Sequence, residues 1–206
     1  MSKAIFVTGI GTDVGKTIVS AILVECMQAD YWKPVQAGDL QNSDTIKVQQ
    51  LVSNTVSVFH PEAYRLTQPY SPHKAAALDG VEIDISQIII PQTSNQLIIE
   101  GAGGLMVPLN DTDLMIDLIA KLDADVVLVS RNYLGSINHT LLSVEVLTRR
   151  GINIRAIVFN GDADAYTQDI IQKQTRHAVP LYHVANMPVI SKESVLEMAE
   201  SISFTI

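Results

Sequence analysis

Short apolar runs alternate with longer segments of helical spacing along the whole chain. Ala4-Ile5-Phe6-Val7 is the first run, short and closed by a glycine-rich turn, as a buried strand is. Ile18 to Met27 is apolar nearly all round, with a single charge at Glu25, and predicts a buried helix packed on the sheet. Tyr31 to Val35 predicts a short strand, and Pro34, which lacks a ladder N–H, favours an edge or a strand end. Ile46 to Val52 has helical spacing. Residues 53–85, broken by Pro61, Pro69 and Pro72, predict a long loop with one short helix over Lys74 to Leu78. Gln96 to Ile99 reads as a strand ending in Glu100, with Gly101 to Gly104 as the turn after it.

The rest of the chain keeps the rhythm. It predicts a helix over Leu114 to Leu122, a buried strand over Ala124 to Ser130, and a helix from Gly135 to near Arg150 with Ser136 as its N-cap. A strand over Ile154 to Phe159, a helix over Tyr166 to His177 and a strand over Val179 to His183 follow. A last helix over Ser194 to Ser201 has Ser191 or Ser194 as cap. Repeated β–α alternation implies an α/β fold, a mostly parallel sheet with helices on both faces. There is no linker, repeat or low-complexity tract, so residues 1–206 are expected to form a single domain.

Composition narrows the partners. Lys and Arg number 14 against 22 Asp and Glu, and no basic cluster is present, which argues against nucleic acid. One cysteine, Cys26, excludes an internal disulfide, and its place in the apolar helix predicts a small buried hydrophobe. The five histidines lack metal-ligand spacing. No apolar run approaches the roughly 18 residues a membrane span needs. Met1-Ser2-Lys3 leads straight into the first strand without the pattern of a signal peptide, so a cytoplasmic protein is expected, with no membrane partner.

The chemistry sits in Gly9-Ile10-Gly11-Thr12-Asp13-Val14-Gly15-Lys16-Thr17, between the first strand and the first helix. Strand, glycine-rich turn and helix in that order make a phosphate-binding loop and point to a P-loop NTPase-like fold. Backbone N–H groups and the helix N-terminus meet the phosphates, Lys16 reaches the β/γ-phosphates, and the Thr17 hydroxyl suits Mg²⁺. The first glycine stands one residue earlier than the usual spacing, so the loop is one residue longer. Glu100 ends a central strand before three glycines, the Walker-B position for a carboxylate that holds Mg²⁺ directly or through water. Asp44 either caps the next helix or faces the same metal. Lys33 is either a solvated lysine or a cation at a strand end that opens on the ligand crevice. Asn160 is either a turn residue or a base reader.

Six segments in order resemble the dethiobiotin synthetase family, nearly end to end: Gly9 to Thr17, Lys33-Pro34-Val35, Asn42-Ser43-Asp44, Ser71-Pro72-His73, Glu100 to Gly104, and Gly135 to His139. The resemblance implies ATP- and Mg²⁺-dependent ring closure of 7,8-diaminononanoate with CO₂ or bicarbonate. The product is a cyclic urea formed through a carbamate and a carbamic-phosphoric anhydride. By the same resemblance Thr17, Asp44 and Glu100 bind Mg²⁺, and Lys16, Thr17 and Lys33 are catalytic. ATP is held by Asp13, Val14, Gly15, Lys16, Thr17, Ile18, Asp44, Glu100, Gly101, Ala102 and Gly103. Its adenine falls to Asn160, Gly161 and the loop Asn186-Met187-Pro188. Substrate falls to Thr12, Asp13, Lys33 and Ala37, and, from across a homodimer interface, to Gly135, Ser136 and Asn138. Ala37 departs from the serine that members often carry, and so lacks that hydroxyl. Two other classes fit a P-loop, a partitioning-type switch ATPase and an amidoligase. The first carries an extra lysine early in its loop, absent from Gly9 to Thr12; the second needs a glutaminase cysteine, and Cys26 is in the wrong context.

Overall fold

The computed structural model describes residues 3–202 and Phe204, so Met1 and Ser2 of the expected lead into the first strand lie outside the described residues. The strands are β1 (Ile5–Gly9), β2 (Asp30–Trp32), β3 (Val35–Ala37), β4 (Phe59–His60), β5 (Tyr64–Leu66), β6 (Leu97–Gly104), β7 (Asp125–Ser130), β8 (Ile154–Asn160) and β9 (Leu181–Val184). The helices are α1 (Lys16–Met27), α2 (Asp44–Leu51), α3 (Pro72–Leu78), α4 (Met115–Lys121), α5 (Ser136–Arg149), α6 (Ala165–Gln174) and α7 (Lys192–Ser201).

Seven strands form one sheet in the order β4-β2-β6-β1-β7-β8-β9, every neighbouring pair parallel. Strand side chains alternate between faces with period two. Ile5, Val7, Ile98, Val127, Val129, Ala156 and Val158 therefore pack with α1, α2 and α7. Phe6, Leu97, Ile99, Val126, Leu128, Ile157 and Phe159 pack on the other face with α3 to α6. Both faces are covered, which is why the strands read as continuous apolar runs.

The chain departs from expectation in four places. The strand expected over Tyr31 to Val35 is interrupted at Lys33-Pro34, because Pro34 offers no ladder N–H. Val35–Ala37 instead pairs with Tyr64–Leu66 in a small separate parallel sheet, so residues 53–85 hold two short strands as well as a helix. β6 does not end at Glu100 but stays extended to Gly104, which pairs with Gly9. Gly135, with φ +105°, caps α5, and Ser136 is its first residue, buried, with no capping side-chain bond. Finally Cys26 is exposed, whereas Glu25 is buried. Glu25 turns inward because it accepts from the Ser53 N–H (2.6 Å), the Ser53 hydroxyl (2.8 Å) and the Asn54 N–H (3.2 Å), just beyond α2.

Candidate active site

The loop Ile10–Gly15 leaves the C-terminal end of β1, between β6 and β7, where the chain crosses to opposite sides of the sheet; ligands of open α/β sheets bind at such points. A Cβ on Gly9 would lie 2.6 Å from Val14 Cγ2 and 2.7 Å from the Gly11 carbonyl oxygen. Only glycine therefore starts this longer loop. Gly15 has φ +94°, and its Cβ position is taken by the Asn160 amide. Asn160, at the end of β8, donates to the Val14 carbonyl (3.1 Å) and so ties the loop to the far half of the sheet.

Lys16 opens α1 and curls back to donate to the Gly11 carbonyl at 3.2 Å. Burial holds its pKa below the ordinary lysine value, against the pull of Glu100. The next residue, Thr17, donates to Glu100 Oε1 at 3.0 Å. Lys33, in the break after β2, lies 2.6 Å from Asp44 Oδ2 and 3.1 Å from Glu100 Oε1. Burial opposes that ammonium, but Glu100 and Asp44 outweigh it and hold its pKa above the ordinary value. For Asp44, burial is likewise outweighed by Lys33, and the carboxyl sits below the usual carboxylate value. Capping of α2 falls to Ser43, which accepts from the Ile46 N–H at 3.4 Å, so the Asp44 side chain is left for the lysine.

The hydroxyl of Thr17 and the carboxylates of Asp44 and Glu100 thus converge, two of them around one ammonium. Three hard oxygen donors at one spot suit Mg²⁺. They open on a cleft of about 910 Å³ lined also by Thr12, Asp13, Gly15, Ile18, Ala102 and Gly103, and by Pro69, Tyr70, Ser71 and Pro72.

Sequence comparison decides the family. A family model described as an AAA domain matches residues 3–194. The ATP-dependent dethiobiotin synthetase BioD of Christiangramia forsetii is 53% identical, over 97% of this chain and 96% of its own length. That of Cytophaga hutchinsonii is also 53% identical, over 96% and 95%. The chain belongs to the dethiobiotin synthetase family. It is an ATP-dependent ligase of biotin biosynthesis. Its fold is shared with a ParA family ATPase from Chlorobium tepidum (TM-score 0.59, 11% identical, 98% of this chain and 100% of that one). The septum site-determining protein MinD of Pyrococcus horikoshii, solved with Mg-ADP, gives a TM-score of 0.58 at 15% identity over 96% and 86%. At such identities the likeness concerns the fold alone.

The expected site residues divide between those that line the cleft, those just behind it and those outside it. Thr12, Asp13, Gly15 to Ile18, Lys33, Ala37, Asp44, Glu100, Ala102 and Gly103 line the one cleft. Val14 and Gly101 lie just behind it: Val14 is buried, and the Gly101 carbonyl accepts from Lys33 at 3.4 Å. Asn160, Gly161, Asn186, Met187 and Pro188 lie outside that lining. The Asn160 amide reaches the loop, and Asn186 donates to Asp162 Oδ1 at 2.5 Å. Gly135, Ser136 and Asn138, at the start of α5, also lie outside the cleft.

Two further residues shape the site. Gln36 is buried, donates to the Gly38 carbonyl (2.9 Å) and accepts from the Asp44 N–H (3.2 Å); it holds the start of α2, and its amide is already engaged beside Ala37. Tyr31 is fully buried and donates to Glu100 Oε2 at 2.9 Å. Burial and Glu100 push its phenol well above the ordinary value, so it stays a donor. A signal existed for Tyr31: a buried tyrosine hydroxyl must find a partner.

Proposed function

We propose that the enzyme carboxylates 7,8-diaminononanoate and closes it to the cyclic urea of dethiobiotin, with residues 1–206 acting as one cytoplasmic catalytic domain of a homodimer. One amine adds to CO₂, forming a C–N bond and losing a proton, to give the carbamate. A carbamate oxygen then attacks the γ-phosphorus of ATP; the new O–P bond forms as the bond to the β–γ bridging oxygen breaks and ADP leaves. The second amine attacks the carbamoyl carbon, the C–O bond to phosphate breaks, phosphate leaves, and the nitrogen loses its proton.

Positioning and charge neutralisation are what phosphoryl transfer asks of a protein. The loop N–H groups and Lys16 would hold the β/γ-phosphates. Lys33 would offset the charge of the carbamate and the transferring group. Thr17, Asp44 and Glu100 would hold Mg²⁺, which neutralises charge on the phosphate oxygens when bound. Thr12 and Asp13, at the mouth of the cleft, would receive the diamine, with Ala37 leaving that edge apolar. Asn160, Gly161 and the Asn186–Pro188 loop would hold adenine from beside the phosphate loop. Gly135, Ser136 and Asn138 line neither the large cleft nor the smaller pocket of about 370 Å³ between the phosphate loop and His139, Leu142 and Ser143 of α5, and Leu134 and Ile137 beside them are exposed. This supports substrate-carboxylate binding there from a second protomer, at a helix N-terminus.

The observation that carries this reading is the buried Lys33 ammonium held between Asp44 and Glu100 in the cleft that the phosphate loop also lines. Phosphate release from Mg-ATP with bicarbonate should require the diamine and yield a product of cyclic-urea mass. Lys33→Ala should lose most turnover and keep Mg-ATP affinity. Diamine-independent hydrolysis would overturn the assignment, and normal turnover in the variant would remove Lys33 from it.

A further inference from the structure

Glu100 has a second partner away from the cleft. Glu100 is 1% exposed. Its Oε1 accepts from Thr17 and Lys33, both at the cleft, while Oε2 points the other way and accepts from the Tyr31 hydroxyl at 2.9 Å. The Tyr31 backbone is held on both sides, in register with Ile98 of β6 and Phe59 of β4. Its ring sits in the core against Phe59, centroids 6.2 Å apart. Tyr31 is fully buried and absent from the cleft lining.

We propose that Tyr31 is a positioning residue for the ligase reaction: its hydroxyl fixes the rotation of the Glu100 carboxylate so that Oε1 alone is presented to the metal and to Lys33. The terminal torsion of a glutamate is broad and nearly two-fold. Burial alone therefore does not fix the plane of the carboxylate or how many of its oxygens face the cleft. A donor on a strand paired along both edges does. Without it Oε2 is left buried and unpaired, and the carboxylate turns toward Lys33 and Thr17 with both oxygens. Partners behind a metal ligand typically change metal affinity or activity by about 10–100-fold.

This inference rests on the reading of Glu100 as a Mg²⁺ ligand, and the test separates the two. Mg²⁺ is titrated by calorimetry into the full-length protein with ADP bound, for wild type, Tyr31→Phe, Glu100→Gln and the double variant. ADP binding in EDTA reads whether each variant is folded, and kcat against Mg²⁺ is measured alongside. Tyr31→Phe keeps the ring and its packing, so ADP binding in EDTA should match wild type. Its Mg²⁺ affinity should fall about tenfold. Saturating Mg²⁺ should restore most of kcat, and the Tyr31 change should have little further effect in the Glu100→Gln background. A weakened Glu100→Gln with an unchanged Tyr31→Phe, or effects of the two that add in full, overturns the role of Tyr31. If neither variant shifts the Mg²⁺ titration, the metal role of Glu100 fails first and the inference falls with it.

Discussion

Replacing Lys33 by methionine keeps the stem and deletes the charge, which isolates the ion cluster at the centre of the site. The ammonium lies 2.6 Å from Asp44 Oδ2 and 3.1 Å from Glu100 Oε1. At an effective dielectric of 20 these contacts carry about 6 and about 5 kcal/mol of gross attraction. Desolvation of the three groups cancels much of that, and removing one partner of such a buried pair costs about 3–5 kcal/mol. In a chain of 206 residues that is a fall of roughly 6–20 °C in Tm. The decisive feature is its metal dependence. Without the ammonium, Asp44 and Glu100 lose the cation they share, Asp44 keeping only the more distant Lys47 at 3.7 Å, and Mg²⁺ binds without competing with Lys33. Thermal melts in EDTA and in rising MgCl₂, without nucleotide, should show the variant gaining most of the lost stability while wild type gains little, as binding to the folded state alone requires. An equal deficit with and without Mg²⁺ would refute the reasoning, since the two carboxylates would then not form one cation site.

Glu25→Ala should destabilise by about 2–3 kcal/mol in a denaturant titration, because a buried acceptor of three hydrogen bonds is lost, and should leave turnover unchanged. The ion cluster also sets a pH window. Asp44 is lower folded than its unfolded value of 3.8, so its contribution is present above 3.8 and is lost as pH falls through the folded value. Lys33 is higher folded than 10.5, so its contribution is present below 10.5 and is lost as pH rises through the folded value. The stability difference between wild type and Asp44→Asn, followed by denaturation across pH, should be flat between those limits and shrink beyond both.

What could be read from the sequence was what chemistry ties to fixed spacing. Lys16 and Thr17 follow a glycine turn because phosphate must meet bare backbone, and Glu100 ends an apolar run because the acid must reach the cleft from a buried strand. Asp44 was ambiguous because capping and metal binding ask for the same residue type. Only the position of the Ser43 hydroxyl and of Lys33 resolves what the Asp44 side chain does. The inversion of Cys26 and Glu25 was hidden because the N–H groups of Ser53 and Asn54 that turn Glu25 inward arrive from 28 and 29 residues away. The same holds for the β3–β5 pair, whose strands are separated by a helix and a strand of the main sheet. Tyr31 looked like one more core aromatic, since the carboxylate it meets is 69 residues further along the chain.

In the proposed reaction a carbamate oxygen takes the γ-phosphoryl group. The most direct measurement follows ¹⁸O from C¹⁸O₂ into inorganic phosphate during the first turnovers with diamine and ATP. The account predicts one labelled oxygen in each phosphate, because the oxygen that attacks phosphorus leaves with it when the ring closes. Phosphate without label, its new oxygen drawn from water, would contradict it.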